Sequence, residues 1–189
     1  KSDHAVVCGG TGLYIKALAE GLNEIPQIPE EVRQFVIELH INKGIEELRK
    51  TLLISDPDFG KLGDIHNPNR MMRALEVIMH TGNPIALYQT GEKTKRDFDI
   101  SYRIMEMPRE ELYFRINTRV DEMVRVGLEE EVMSLTEHQD RPALQTVGYK
   151  EFFDYFNGLY SKEFAIEKIK QHTRNYAKRQ MTWFSKYSS

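Results

Sequence analysis

Ala5-Val6-Val7-Cys8-Gly9-Gly10-Thr11-Gly12-Leu13-Tyr14 is the stretch on which the reading of the fold turns. Ala5 to Cys8 are small or β-branched and predict a short strand buried on both faces. Gly9, Gly10 and Thr11 predict a tight turn. Gly12 to Leu18 predicts a helix, with Leu13, Ala17 and Leu18 at helical spacing. A glycine-rich turn between a buried strand and a helix presents bare backbone N–H groups, and the helix dipole favours phosphate there. The same glycines also suit a turn needed only for chain geometry. A buried strand needs neighbours, yet the next candidate is Phe98–Met107, so the chain reads as a fragment whose sheet partners lie upstream of Lys1-Ser2-Asp3-His4.

Working outward, Asn23 to Pro29 is a proline-punctuated connector, and Pro29-Glu30-Glu31 opens a helix with proline and carboxylates in its first turn. Val32, Phe35, Val36 and Leu39 give its apolar face, with Arg33 off that face. Gly44 starts a further helix carrying Ile45, Leu48, Leu52 and Leu53. Asn67-Pro68-Asn69 is a helix start, Asn67 as N-cap and Pro68 at the first position. Met71, Met72, Leu75, Ile78 and Met79 supply its buried side, and Thr81-Gly82-Asn83-Pro84 ends it. Arg70 and Arg73 oppose the helix dipole, which fits either an anion site or a carboxylate partner such as Glu76.

Gly91 to Asp97 is polar and reads as flexible. Pro108-Arg109-Glu110-Glu111 opens a long helix striped by Leu112, Ile116, Val120, Met123 and Val124, bending or ending at Gly127. Arg115 and Arg119 flank that stripe, where a salt bridge is the plain alternative to a functional role. Gln145 to Lys150 is a loop leading into the aromatic helix around Phe152 and Phe156, which Asn157-Gly158 stops. Ser161 opens the last helix, whose buried face is read as Ile166, Ile169, Thr173, Tyr176, Gln180 and Phe184. Lys170, Arg174 and Lys178 repeat every four residues on another face and would suit a phosphate backbone.

Hydrophobic residues make up 40% of the 189, and charged residues 29%, as in a globular chain. No apolar run would cross a membrane, and one cysteine excludes an internal disulfide and a cysteine-based zinc cluster. Cys8 is expected to be an inert core thiol, and the compartment cytoplasmic. Six scattered histidines show no metal-ligand spacing. Net charge is −3, unlike a general nucleic-acid binder. Charge is segregated, however: Ser161 to Lys186 carries seven cations against two carboxylates, which permits a local basic surface.

Five blocks together resemble the tRNA dimethylallyltransferase (tRNA isopentenyltransferase) family. They are Gly9–Leu18, Pro68–Val77, Tyr113–Met123, Val147–Glu151 and Tyr176–Phe184, in family order. The resemblance implies a P-loop, kinase-like α/β core (residues 1–24 and 92–189) carrying an all-helical insertion at residues 25–91. It implies transfer of a dimethylallyl group from its diphosphate to N6 of the adenosine 3′ to the anticodon, in tRNAs that read codons beginning with U. Arg119 matches the family's catalytic arginine, sharing the diphosphate with Gly9, Gly10 and Thr11. By the same resemblance Thr11, Arg33, Asn69, Arg70, Met71, Met72, Arg73, Gln145, Thr146, Val147, Gly148, Tyr149, Lys150, Lys178, Arg179, Gln180 and Trp183 touch the RNA. Mg2+ is expected on the diphosphate, and a monomer is expected.

An arginine that grips diphosphate more tightly as charge develops lowers the barrier, and an adenine stacked in a loop must be flipped out to react. Loop recognition by hydrogen bonds and stacking needs no globally basic protein. The family's P-loop and the aspartate taken as general base are absent from these residues and would lie upstream. The segment before Met107 looks short, the eukaryotic zinc-finger tail is missing, and a bacterial source and an inactive isolated chain are expected. Two alternatives remain open: an isopentenyltransferase acting on free adenine nucleotides, and a non-catalytic helical RNA-binding module.

Overall fold

The computed structural model describes residues 3–187, so Lys1 and Ser2 of the polar start lie outside the described residues. These residues are helical or irregular and contain no strand. The helices are α1 (Gly12–Glu20), α2 (Glu30–Ser55), α3 (Phe59–Leu62), α4 (Pro68–Thr81), α5 (Arg109–Arg125), α6 (Leu128–Ser134), α7 (Tyr149–Phe156) and α8 (Lys162–Phe184). Short 3-10 turns lie at Ile85–Tyr88, Thr136–His138, Pro142–Leu144 and Ser185–Tyr187. No helix among the described residues is long and apolar enough to cross a membrane.

The chain forms two compact units, Lys16–Phe98 and Lys1–Ile15 with Asp99–Ser189. In the first, α2 packs on α4. Val36, Leu48 and Leu52 of α2 meet Met71, Ala74, Leu75 and Val77 of α4 in one apolar cluster. Full burial of a Leu or Met side chain contributes about 1.5–3 kcal/mol, which outweighs the few tenths carried by any surface ion pair here. Local signals set the boundaries. The Asn67 side chain accepts from the Arg70 N–H at 3.2 Å, with Pro68 in the first turn. Gly82 closes α4 in the left-handed region at φ 72. Gly44, with φ 79 and ψ −179, breaks α2 where a further helix was expected to start. Phe35, expected on the apolar face, is instead exposed. The polar Gly91–Asp97 segment is pinned rather than loose. The Thr94 N–H donates to the Glu20 carbonyl at 2.8 Å, Lys93 pairs with Glu20 at 2.8 Å, and Arg96 donates to the Ala17 carbonyl at 2.8 Å.

In the second unit α8 is the spine, packing on α5 and α7, with α6 bridging α5 and α7. Val120, Leu128, Val132, Phe152, Phe153 and Ile169 form its core. Ser161 caps α8 through the Phe164 N–H at 3.2 Å. Gly127, at φ 113, turns the chain from α5 into α6.

Two strand expectations are corrected. Ala5–Cys8 is irregular and exposed, with Val6 90% accessible, and Cys8 is an exposed thiol rather than a core one. Phe98–Met107 is likewise irregular. A strand exists only by pairing its N–H and C=O groups with another strand, and the described residues offer neither segment such a partner. Of the α/β expectation, the described residues therefore show only the helices.

Candidate functional site

The glycine turn rests on α8. Gln180 donates to the Gly10 carbonyl at 3.0 Å, and the Thr11 hydroxyl lies 3.5 Å from that of Tyr176. A Cβ on Gly10 would come within 2.0 Å of the Gln180 amide, and one on Gly12 within 2.2 Å of the Trp183 ring. A Cβ at Gly10 meets only the flexible end of Gln180, whereas one at Gly12 meets the Trp183 ring, which would have to shift. Close approach of the Trp183 ring thus makes glycine matter most at Gly12. Gln180 and Trp183 face the turn, so these two polar or aromatic residues of the last helix act at least in part on Gly9 to Gly12. Tyr176, expected on the buried face of α8, is exposed.

On α5 the arginines differ in their surroundings. Arg115 pairs with Glu111 at 2.6 Å, Arg125 with Glu122 at 2.5 Å, and Arg109 reaches the Tyr113 hydroxyl at 3.0 Å. The Arg125 partner holds the Glu122 carboxyl below its usual range. Arg119 is exposed, and among the described residues its side chain has no ion pair or hydrogen bond. The basic row of α8 is largely spent on α5, which corrects the phosphate reading of that row. Lys170 binds Asp121 at 2.7 Å and is only 14% exposed, and Arg174 donates to Asn117 at 2.7 Å while lying over the Tyr113 ring. Lys178 alone of the three keeps its side chain free among the described residues.

Two clefts share the flank of α8. One, of about 640 Å³, is lined by Asn175, Lys178, Arg179, Thr182, Trp183 and Lys186. Lys186 lies 4.0 Å over the Trp183 ring, a cation–π contact that leaves the cleft both basic and aromatic. The other, of about 340 Å³, brings Gln145, Thr146, Val147 and Lys150 against Arg179, Asn175 and His172. Gly148, at φ 103, starts α7, and its N–H donates to Glu151 at 2.7 Å. Tyr149 donates its hydroxyl to Glu131, which holds its ionisation above the usual tyrosine range. Thr11 and Arg119 line neither cleft.

The remaining predicted contacts lie in the other unit. Arg33 sits 3.5 Å from Glu30, and Arg70 lies 3.7 Å from Asp64. Arg73 bonds Glu76 at 3.1 Å, so of the two readings of the α4 arginines the carboxylate partner is the one present for Arg73. Asn69 is exposed, Met72 half-buried, and Met71 is fully buried in the core. Among the described residues no group of three or more His, Cys, Asp or Glu is arranged to hold a metal ion. Sequence reasoning missed the buried Glu151 and its partner His172, because nothing in the spacing of residues 151 and 172 says that α7 and α8 pack together.

The IPP transferase family model matches residues 1–187. A tRNA dimethylallyltransferase of Cytophaga hutchinsonii is 44% identical over 186 residues, covering 98% of this chain and 61% of that protein. One from Christiangramia forsetii is 45% identical over 183 residues, covering 96% and 60%. Among solved structures, a Staphylococcus epidermidis tRNA delta(2)-isopentenylpyrophosphate transferase is 34% identical with TM-score 0.51, covering 92% of this chain and 57% of that one. A eukaryotic dimethylallyltransferase acting on tRNA gives TM-score 0.69 at 25% identity, covering 93% and 46%. The chain thus spans about 61% of the length of the first of these curated relatives. Since the family match runs from the glycine turn through α4 and α5 to the end of α8, the chain belongs to the IPP transferase family.

Proposed function

We propose that the intact protein is a tRNA dimethylallyltransferase. In this reaction the bond between C1 of dimethylallyl diphosphate and its bridging oxygen breaks, and diphosphate leaves with the electron pair. A bond forms between C1 and N6 of an adenosine, and N6 loses one proton. A carboxylate base takes that proton, the aspartate that the family resemblance places upstream of these residues. The observation that carries the proposal is the state of Arg119. It is an exposed guanidinium without a carboxylate partner among the described residues, on a helix whose other arginines are all engaged. An arginine left free in this way can take a diphosphate in two-pronged fashion and stabilise the charge that builds on it. Gly9, Gly10 and Thr11 supply backbone and hydroxyl donors from a turn that α8 holds in place. Mg2+ is proposed to arrive on the diphosphate, whose oxygens are its natural ligands.

The two clefts along α8 support RNA binding, since they gather Lys150, Lys178, Arg179 and Lys186 beside aromatic side chains. The proposed acceptor is the adenosine 3′ to the anticodon, with residues 25–91 as a tRNA-contacting helical insertion on a P-loop-type core. The protein is proposed to work as a cytoplasmic monomer. The test is to incubate the intact protein with dimethylallyl diphosphate and either unmodified tRNA or AMP, and to digest and weigh the nucleosides. Dimethylallyladenosine from tRNA alone is the expected result. Product from AMP alone would replace this reading with an enzyme of free nucleotides, and product from neither would overturn it.

A further inference from the structure

Glu151 is 3% exposed and has both carboxylate oxygens committed. One accepts from the Gly148 N–H at 2.7 Å, and the other engages Nδ1 of His172 on α8. An ionised carboxylate only accepts, so Nδ1 carries the hydrogen and Nε2 is left as the imidazole's uncommitted polar atom. The ring itself is 44% exposed and lines the cleft of about 340 Å³. A buried carboxylate that fixes the orientation and tautomer of a half-exposed histidine is the arrangement by which proteins aim an imidazole at a ligand. Here the cleft tells which ligand. Among the described residues Lys150 and Arg179 line it with no ion pair, Arg179 lying over the Tyr176 ring, although Asp154 and Glu151 line it too. Two unpaired cations beside acids that have not captured them are placed for an anion that arrives from outside. Gln145 and Asn175 add amide groups able to read a base edge.

We infer that His172 is a nucleotide-contacting residue. The cleft between Gln145–Lys150 and α8 takes one nucleotide of the RNA, with its phosphodiester between Lys150 and Arg179 and its 2′-hydroxyl donating to His172 Nε2. Glu151 is the positioning residue, acting through His172 and through the Gly148 N–H. This rests on the proposed RNA substrate and adds to it a contact that the resemblance does not supply.

The test uses the intact protein and a synthetic anticodon stem-loop RNA, with binding followed by fluorescence anisotropy. Loss of one hydrogen bond to a charged or polar partner predicts about tenfold weaker binding for His172→Ala. His172→Gln, which keeps a polar end in the cleft, should recover most of that loss. Addition of RNA should also shift the 15N resonance of His172 Nε2 in the unaltered protein, a response that a purely structural histidine would not give. Wild-type affinity in His172→Ala, or an Nε2 resonance that ignores RNA, overturns the inference while leaving the enzyme reading intact. Failure of the unaltered protein to bind the RNA removes both.

Discussion

Arg73 and Glu76 stand one turn apart on α4, and the Glu76 side chain is 9% exposed. Removing the guanidinium leaves a buried acceptor without its partner, a loss of roughly 1–3 kcal/mol. Arg73→Ala should therefore lower the urea midpoint, whereas Arg70→Ala, whose 3.7 Å pair with Asp64 is largely exposed, should barely move it. Lys170 carries a pH signature of a different kind. The hydrogen bond that Lys170 donates to the Asp121 carboxylate raises its pKa above the usual lysine value. A raised folded-state value means that the contribution is whole below the unfolded pKa, near 10.4, and fades as pH rises through the higher folded one. The stability difference between wild type and Lys170→Met should stay constant from neutral pH to about 9 and shrink above about 10.5. A difference that shrinks near neutrality would show that the Asp121 pair is not its source.

Among the elements, α2 and the contact of the first turn with α8 make the clearest claims. Gly44 sits at φ 79 and ψ −179, a region that side chains with a Cβ rarely enter. Gly44→Ala should destabilise by about 1–3 kcal/mol if the break is kept; an unchanged urea midpoint would mean that the helix can run straight through. The turn has a built-in reporter, since Trp183 is the chain's one tryptophan. Gly12→Ala places a methyl where the indole now lies and should shift the tryptophan emission, while Gly9→Ala, with open space around its Cβ, should not. Equal spectra for the two variants would contradict the packing of the turn on α8. These elements also show what sequence could disclose. The caps at Asn67 and Ser161 and the stop at Gly82 are local hydrogen-bond chemistry, readable over three or four residues. Ala5–Cys8 has strand composition, but composition supplies no partner to pair with, and the segment stays irregular. Lys170 and Arg174 of the basic row on α8 are lost to phosphate for a similar reason: Asp121 and Asn117 reach them from α5, and no spacing within α8 reveals those partners.

At the scale of the molecule, each unit has its own apolar cluster, α2 with α4 in one and α5 to α8 in the other. The second unit gathers the glycine turn, the unpaired Arg119 and both clefts around a single long helix. Among the described residues the arginines of α5 divide into three that bind neighbours and Arg119, which binds none, and that division is the physical basis for proposing Arg119 as the diphosphate ligand. Removing a preorganised donor that acts on developing charge lowers kcat by roughly 100- to 1,000-fold. A residue used only to hold RNA would instead alter affinity. The deciding measurement is single-turnover dimethylallyl transfer to tRNA by the intact protein and its Arg119→Ala variant, with RNA affinity measured alongside. The prediction is a rate reduced by about two to three orders of magnitude with RNA binding within about twofold of wild type. An unchanged rate, or a loss carried wholly by RNA affinity, would contradict it.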